Sequence, residues 1–318
     1  MDPDPSEHPP SAGDIRAGTR WLLVAFSVLT LLGVVQLLLL ADVADRYWAW
    51  TIHTEATAAF LGAGYAAGFV LAMLSLRQTQ WSRIRIPLVT VAAFTVLTCV
   101  ATLIHLHRLH LTSRGSIARG VAWIWLVVYL LVPVVCLVVI ARQERRRKRA
   151  EAVLRPMPDW LTVLLAAEGA LLFAAGAVLF AGGMVVHHDV PSSATDFWPW
   201  ALMPLGAQVT GAWLIAFGVA TAMAIRDGDL SRLFVSAVAY TFFGVFELVA
   251  VIWHWPQVSL QGTWRWTYPV VLVAIVLTGA YGWCAARRGA GGHGMLSWAD
   301  TLRPPTTTSV RGRSEVGG

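Results

Sequence analysis

The sequence predicts an all-α, polytopic membrane protein with eight transmembrane helices, arranged as two parallel four-helix repeats (4+4). Three observations support this class. The 318-residue chain is 57% apolar and 13% charged, with a mean hydropathy of +0.62, and a soluble domain of this length could not bury so much apolar surface. Eight charge-poor runs are long enough to cross a bilayer, and a pattern from the first half recurs in the second.

The eight runs each supply about the 20 helical residues that cross a hydrocarbon core. They are continuous rather than alternating, and rich in Leu and Ala, which favours helices over barrel strands. The first run follows an acidic, Pro-rich segment and is too long for a signal peptide, so we expect a retained helix. The predicted spans are Trp21–Ala41, Ala56–Leu76, Ile86–Ile104, Val121–Ala141, Trp160–Val186, Trp198–Ile225, Leu233–Trp253 and Thr267–Ala286.

The duplication is faint but contains matches that apolar composition alone does not produce. The segment 47–105 recurs about 150 residues later, over 197–254. The informative matches are two W-x-W pairs, a Ser-Arg pair and a closing histidine: Trp48, Trp50, Ser82, Arg83 and His105 correspond to Trp198, Trp200, Ser231, Arg232 and His254. Each half has an even number of spans, so both halves share one orientation, and repeats of this kind commonly enclose a site between them.

The basic residues predict how the chain is oriented. If the N-terminus is cytoplasmic, most of the 24 Lys and Arg residues fall on that side, and the other loops hold only Arg46, Arg108, Arg114, Arg119 and Arg265. The positive-inside rule then predicts a plasma-membrane protein with both termini cytoplasmic. The predicted parts are a disordered N-terminus (1–20), a first repeat (21–141), a basic linker (142–159), a second repeat (160–286) and a disordered tail (287–318).

The linker is the most basic part of the chain. Residues 142–149 are mostly Arg and Lys, so we expect them to contact anionic lipid headgroups. The alternative is a plain connection that obeys the positive-inside rule. Because this linker and the tail account for the net charge of +6, no nucleic-acid partner is predicted.

Two acidic residues lie inside predicted helices, where an unpaired carboxylate costs several kcal/mol. Tyr240, Glu247 and His254 are spaced seven residues apart, so they share one face of the seventh span. Glu168 lies in the fifth span, nearer the predicted inner side. These residues are candidates for ligand binding or proton relay, and a structural hydrogen bond to a neighbouring helix is the alternative for each carboxyl group.

Histidines concentrate on the predicted outer side. Outer imidazoles can bind a metal ion or haem iron, relay protons, or lie at the headgroup level without a chemical role. The metal or haem candidates are His187, His188, His254, His105 and His107. Pseudo-symmetry predicts that Glu247 and His254 approach His105, which adds His105 to the ligand-binding and proton-relay candidates.

Tryptophans also cluster near the predicted outer interface. An interfacial aromatic belt is the simpler interpretation. The alternative is an aromatic-lined pocket for a cationic or polyprenyl ligand. The residues concerned are Trp48, Trp50, Trp123, Trp125, Trp198, Trp200, Trp253, Trp255, Trp264 and Trp266.

Three runs carry a family resemblance: W-P-W…G-A-W (Trp198–Trp200, Gly211–Trp213), H-L-H-R-L-H (His105–His110) and W-I-W-x3-Y-x3-P (Trp123–Pro133). They resemble a group of actinobacterial multi-pass membrane proteins with a duplicated four-helix unit. That group has no known activity, so the resemblance implies none. In architecture alone the chain also resembles haem A synthases, but here His53 precedes Glu55, which departs from their pattern on the second helix.

Three functions therefore remain open. The first is binding or transport of a small or lipid-like molecule at an outward-facing His/Glu/Trp cavity between the repeats. The second is a haem- or metal-binding redox protein. The third is an intramembrane enzyme acting on an isoprenoid or lipid. The sequence has no Walker loop, C-x-x-C-H or H-E-x-x-H motif, so ATP-driven transport and covalent c-type haem have no support.

Overall fold

The computed structural model describes residues 15–146, 153–184, 192–258 and 264–301, and within these ranges the protein is helical. Helix α1 continues as a π-helical segment, Val35–Leu39, and short 3-10 segments follow α4 and α8. The α-helices of the described residues are α1 (Ala17–Val34), α2 (Ala44–Tyr47), α3 (Glu55–Leu76), α4 (Trp81–Ile104), α5 (Ser116–Arg146), α6 (Asp159–Gly182), α7 (Pro204–Asp227), α8 (Phe234–Trp253) and α9 (Trp264–Thr301).

All of these helices except the short α2 are long and apolar enough to cross a membrane, as the predicted multi-pass helical protein requires. The sixth span begins at Pro204 rather than Trp198, because the W-P-W run lies in a turn before the helix. Proline in the first turn loses no helical hydrogen bond. Gly228 ends α7 with φ of 59°, a left-handed conformation that glycine adopts freely.

The long helices form an inner and an outer group. Helices α3, α4, α7 and α8 are the more buried, and α1, α5, α6 and α9 surround them. Helix α3 packs on α8 and α4 packs on α7, so the centre of the bundle joins the two halves of the chain. The outer contacts are α1 with α3, α5 with α4, α6 with α7, and α9 with α8.

The contact between α6 and α7 depends on glycines that let the two backbones approach. A Cβ atom on Gly176 would lie 2.7 Å from the carbonyl oxygen of Gly211, and one on Gly211 would lie 2.6 Å from that of Gly176. No real side chain tolerates those distances. Small residues at such positions are the usual basis of close helix packing in membranes, where apolar burial gives no driving force between helices.

Aromatic side chains fill the centre where the two halves meet. Phe94 of α4 stacks on Trp213 of α7 with ring centroids 3.9 Å apart and planes 23° apart. Trp213 also stacks on Phe217 at 5.8 Å, and Phe217 contacts Phe243 of α8 at 4.5 Å. Such ring pairs each add about 0.5–1.5 kcal/mol beyond area burial, so this column joins α4, α7 and α8.

The two ends of the bundle differ in character. We call the end formed by residues 48–54, 105–115, 192–203 and 254–258 the histidine face, and the end formed by 77–80, 153–158 and 227–233 the arginine face. At the histidine face a backbone hydrogen bond joins two loops, since the His110 N–H donates to the Ala49 carbonyl at 2.8 Å.

Charged groups tie the helices together at the arginine face. Arg85 of α4 lies 2.8 Å from Glu144 of α5 and 2.8 Å from Asp227 of α7. Asp229 is fully buried and accepts hydrogen bonds from the Leu154 N–H and from the backbone and hydroxyl of Ser231. Burial raises the pKa of Asp229, but these bonds and nearby Arg232 outweigh burial, so its pKa lies below the ordinary value.

Candidate ligand-binding site

Glu168 lies buried where α6, α8 and α9 meet. Thr278 donates its hydroxyl to Oε1 of Glu168 at 2.7 Å, and Tyr240 donates to Oε2 at 3.3 Å. Two of the predicted candidates, Glu168 and Tyr240, are therefore in direct contact, although the sequence had assigned Tyr240 to a stripe with Glu247. Each carboxyl oxygen of Glu168 has a donor, and the pair of bonds links α6 to both α8 and α9.

Glu247 is fully buried in α8, and within the described part of the chain only one of its two carboxyl oxygens has a hydrogen-bond donor. Tyr268 of α9 donates its hydroxyl to Oε2 at 3.3 Å. The other oxygen, Oε1, has no hydrogen-bonding partner among the described residues. The ring of Tyr268 also lines a small cavity of about 80 Å³ with Trp198 and Phe243.

His254 ends α8 and contacts the start of α3. Its Nδ1 lies 3.4 Å from Oε2 of Glu55. Gln257 donates to the same oxygen at 2.8 Å and accepts a bond from the N–H of Ala56 at 3.0 Å. A carboxylate in the first turn also suits the positive end of the α3 dipole. The contacts of His254 and Gln257 with Glu55 and Ala56 hold the end of α8 on the first turn of α3.

His105 ends α4 in almost the same conformation as His254 ends α8, with φ and ψ of −106° and 27° against −102° and 25°. His105 is buried, and because a carbonyl can only accept, its Nε2–H donates to the Gly183 oxygen at 3.0 Å. Burial lowers the pKa of His105 below its ordinary value by more than the Gly183 bond raises it, and His107 and Arg108 lower it further.

The three groups expected to converge have separate partners. Among the described residues, Glu247 contacts α9, His254 contacts α3, and His105 contacts the end of α6. The seven-residue spacing places Glu247 and His254 on one face of α8, but about 10 Å of helix separates them, and different helices pack against each level.

A cavity of about 760 Å³ opens at the histidine face. Its described lining includes His53, His105, His107 and His110 from the first half, together with the first turn of α7. Neither Glu247 nor His254 is among those lining residues. His110 is held in place, because its Nδ1–H donates to the Trp48 carbonyl at 3.0 Å and the Thr51 hydroxyl lies 3.1 Å from Nε2.

The metal hypothesis requires several imidazoles to lie close together, and in the described part of the chain they do not. Over residues 15–146, 153–184, 192–258 and 264–301, no three His, Cys, Asp or Glu side chains are placed to hold one ion. The rings of His105 and His107 have centroids 6.2 Å apart. His187 and His188 lie outside the described residues.

The tryptophans divide into buried clusters and exposed rings. Trp48 and Trp50 pack edge-on against Trp125 of α5, with centroids 5.4 and 4.8 Å away. Trp198 and Trp200 pack in the same way against Tyr268 of α9, at 5.4 and 5.9 Å. These five tryptophans are core residues rather than an interfacial belt, whereas the exposed rings of Trp123, Trp253, Trp255 and Trp266 fit the belt interpretation.

An apolar cavity lies between α1 and α5, and we call it the lateral cavity. Its volume is about 320 Å³, within the roughly 300–1,000 Å³ typical of ligand pockets. Its walls come mainly from α1, α3, α4 and α5, and α7 contributes Trp213, which stacks on Phe94. Leu32 of α1 and Ile124 of α5 line it while remaining 54% and 55% exposed, so it opens sideways on the helix surface that would face lipid.

The polar groups of the lateral cavity were not among the candidates predicted from the sequence. The hydroxyls of Tyr65 and Tyr129 are 2.7 Å apart and buried, and Gln36 lies on the π-helical segment. The W-I-W-x3-Y-x3-P run contains Tyr129, but spacing along one helix could not show that Tyr65 meets it from α3.

Together the eight long apolar helices are compatible with a polytopic membrane protein, and the apolar cavity that opens on their outer surface is a candidate ligand site. Comparison of the chain with protein-family models, with curated proteins and with solved structures gave no match.

Proposed function

We propose that this protein binds a lipid-like molecule in the lateral cavity between α1 and α5. The observation that carries the proposal is the cavity itself. It is apolar, about 320 Å³ in volume, and lined by residues of α1, α3, α4, α5 and α7. Its polar threonines are already satisfied, since Thr90 and Thr95 donate to carbonyls of their own helix at 2.9 and 2.8 Å. Most of the wall is therefore apolar and favours a largely apolar occupant.

Access from the bilayer supports a lipid-like rather than a water-soluble ligand. Helix α1 packs mainly on α3, and α5 mainly on α4, so these two outer helices flank the opening. A ligand entering there would leave lipid and contact rings of Trp48, Trp125 and Phe94. The ligand class is the one predicted from the sequence, but this location is in the first half rather than at Glu247 and His254.

A cavity-filling variant tests this function. Val128 of α5 lines the cavity, whereas its neighbour Val127 does not and is 48% exposed. The Val128→Trp protein, reconstituted in nanodiscs, would be compared with Val127→Trp using a C20 isoprenoid chain that carries a photoreactive diazirine. We expect labelling of α1 and α5 in the wild type and in Val127→Trp, and loss of most labelling in Val128→Trp. Equal labelling of all three proteins would refute the proposal.

We further propose that the chain consists of two parallel four-helix repeats, α1 with α3–α5 and α6–α9. In this arrangement α1, α3, α4 and α5 correspond to α6, α7, α8 and α9. Each main contact then has a counterpart: α1–α3 corresponds to α6–α7, α4–α5 to α8–α9, and α3–α8 to α7–α4. Backbone bonds also correspond, because the N–H of Ile15 donates to Thr79 at 3.0 Å and that of Met157 donates to Gly228 at 3.0 Å. The matched caps at His105 and His254 support the same relation.

The orientation proposed is that the arginine face lies in the cytoplasm of a plasma-membrane protein, with both termini on that side. The supporting observation is the excess of basic residues at that end. The basic stretch 142–149 would then lie against anionic lipid headgroups. Residues 147–149 of it lie outside the described residues.

A further inference from the structure

The lateral cavity has one polar end, formed by a pair of buried phenols. Tyr65 of α3 and Tyr129 of α5 both line the cavity, and their hydroxyl oxygens are 2.7 Å apart. Two hydroxyls carry two donor hydrogens, but the bond between them uses only one. Neither hydroxyl has another partner among the described residues, so one O–H donor is left over at the end of the cavity.

Gln36 adds a second polar group close to the same place. Gly33 of α1 lies directly on the Tyr65 ring, because a Cβ atom there would be 2.8 Å from Cγ of Tyr65. Gln36 is three residues further along, on the same side of the helix and about one turn away. It lines the cavity from the π-helical segment Val35–Leu39, and its amide has no hydrogen-bonding partner among the described residues. Single π-turns of this kind occur frequently at functional sites.

Flat aromatic walls surround these polar groups. The ring of Trp125 lies 4.2 Å from that of Tyr129, and the ring of Phe94 lies 6.0 Å from it. Tyr65 contacts Trp213 at 6.0 Å. Aromatic rings are stabilised by edge-on or offset contact with other rings. This part of the cavity therefore combines ring surfaces with hydrogen-bond donors, while Leu29, Leu32 and Val132 are among the aliphatic residues that line the remainder.

We infer that the ligand is an isoprenoid quinone, whose ring lies among these aromatic side chains and whose carbonyl oxygens accept hydrogen bonds from the Tyr65–Tyr129 pair and Gln36. This inference rests on the proposed function, since it names the class of molecule bound in the same cavity. The isoprenoid tail follows the aliphatic walls toward the opening between α1 and α5. A phospholipid ester also offers carbonyl acceptors but no ring, and it is separated from the quinone in the experiment below.

The test is equilibrium binding of radiolabelled menaquinone-2 to the full-length protein in nanodiscs. The double variant Tyr65→Phe/Tyr129→Phe removes both hydroxyls together, so neither is left buried and unpaired. We expect it to bind menaquinone-2 about 3- to 10-fold more weakly, the effect of one neutral hydrogen bond. Gln36→Leu should weaken binding by a similar factor. Thr95→Val is the matched control, because that hydroxyl lines the cavity but bonds its own helix.

Competition distinguishes the ligand classes. A methylnaphthalene with the same two-isoprene tail but no carbonyls should bind more weakly than the quinone, with the same inhibition constant in the wild type and both variants. Equal displacement by this hydrocarbon, or stronger displacement by short-chain phosphatidylcholine, would overturn the quinone assignment. In those cases the Val128→Trp protein should still bind the competing molecule more weakly than the wild type, so the proposed function would stand. If Val128→Trp binds menaquinone-2 and the hydrocarbon as the wild type does, the proposed function itself fails.

Discussion

The cleft between α1 and α5 in the first half is open, whereas the cleft between α6 and α9 in the second half is closed. In the first half the outer helices leave a cavity of about 320 Å³. In the second half α6 contacts α9, the Glu168–Thr278 bond crosses the gap, and the cavities among the described residues there include two of about 80 Å³. The polar groups differ in the same way: neutral phenols in the open cleft, carboxyl groups in the closed one.

This difference indicates that the two halves share one architecture but differ in how their outer helices are held. Both halves keep a W-x-W cluster on an aromatic side chain of their last helix, and both end the third long helix with histidine. What differs is how the outer helix is held. The Thr278–Glu168 bond fixes α6 on α9, and under the proposed function that half supports the half in which the ligand would bind.

The largest expected effect concerns the glycine contact that holds α6 on α7. Gly176→Leu should destabilise the protein by about 3 kcal/mol or more, since overpacking a tight contact costs at least 1–3 kcal/mol and here the obstacle is backbone. Gly120→Leu on α5 is the control. A Cβ there meets nothing within 4 Å, so it should be neutral or stabilising by about 0.5 kcal/mol. Unfolding by SDS titration in mixed micelles measures both, and equal losses would contradict the packing described.

A smaller effect should follow from removing the bond across the closed cleft. Glu168→Ala leaves the Thr278 and Tyr240 hydroxyls without their acceptor, which should cost about 1–3 kcal/mol. It should also allow the photoreactive isoprenoid to label α6 and α9, as it labels α1 and α5. Glu168→Gln keeps one acceptor oxygen and should show less of both changes. If neither variant is labelled in the second half, the carboxyl bonds are not what closes that cleft.

The smallest effect is a pH dependence that comes from His105. The folded protein holds this imidazole at a pKa below its ordinary value, chiefly through burial. The unfolded chain therefore binds a proton first as the pH falls below about 6.5, and stability decreases until the pH passes the lower folded pKa. His105→Gln should flatten this part of the stability profile between pH 7 and 5. A profile of unchanged slope would assign the acid sensitivity to other groups.

Hydropathy was enough to predict the helices, and most boundaries agree within a few residues. It failed at Trp198–Trp200, because tryptophan scores as apolar whether it lies in a helix, in a turn or at the membrane interface. The same ambiguity made buried Trp48 and Trp125 look like belt residues. Burial against protein or lipid is decided by neighbouring helices, which the sequence of one helix does not contain.

The site shows the same limit more clearly. The sequence places Tyr240, Glu247 and His254 along one helix, and in the structure the first two lie in α8 and His254 follows its last residue, but their partners come from α6, α9 and α3. The Tyr65–Tyr129 contact joins residues 64 positions apart on two helices. Neither tyrosine carries a charge, so no desolvation cost marked them as unusual in the sequence. The cavity beside Tyr65 and Tyr129 is seen only in the structure, because α1 packs on α3 and α5 packs on α4, with space between them.

The interleaved centre of the bundle has a consequence for biosynthesis. Ribosomes deliver α1, α3, α4 and α5 into the bilayer before α7 and α8 exist, yet α3 and α4 have their main inner contacts with α8 and α7. Helices can insert singly and associate afterwards. The newly made first half would therefore stay in the bilayer with the inner surfaces of α3 and α4 exposed to lipid until α7 and α8 are inserted. A chain that stops after α5 would be inserted but not assembled, and the completion of folding falls to the last helices to leave the ribosome.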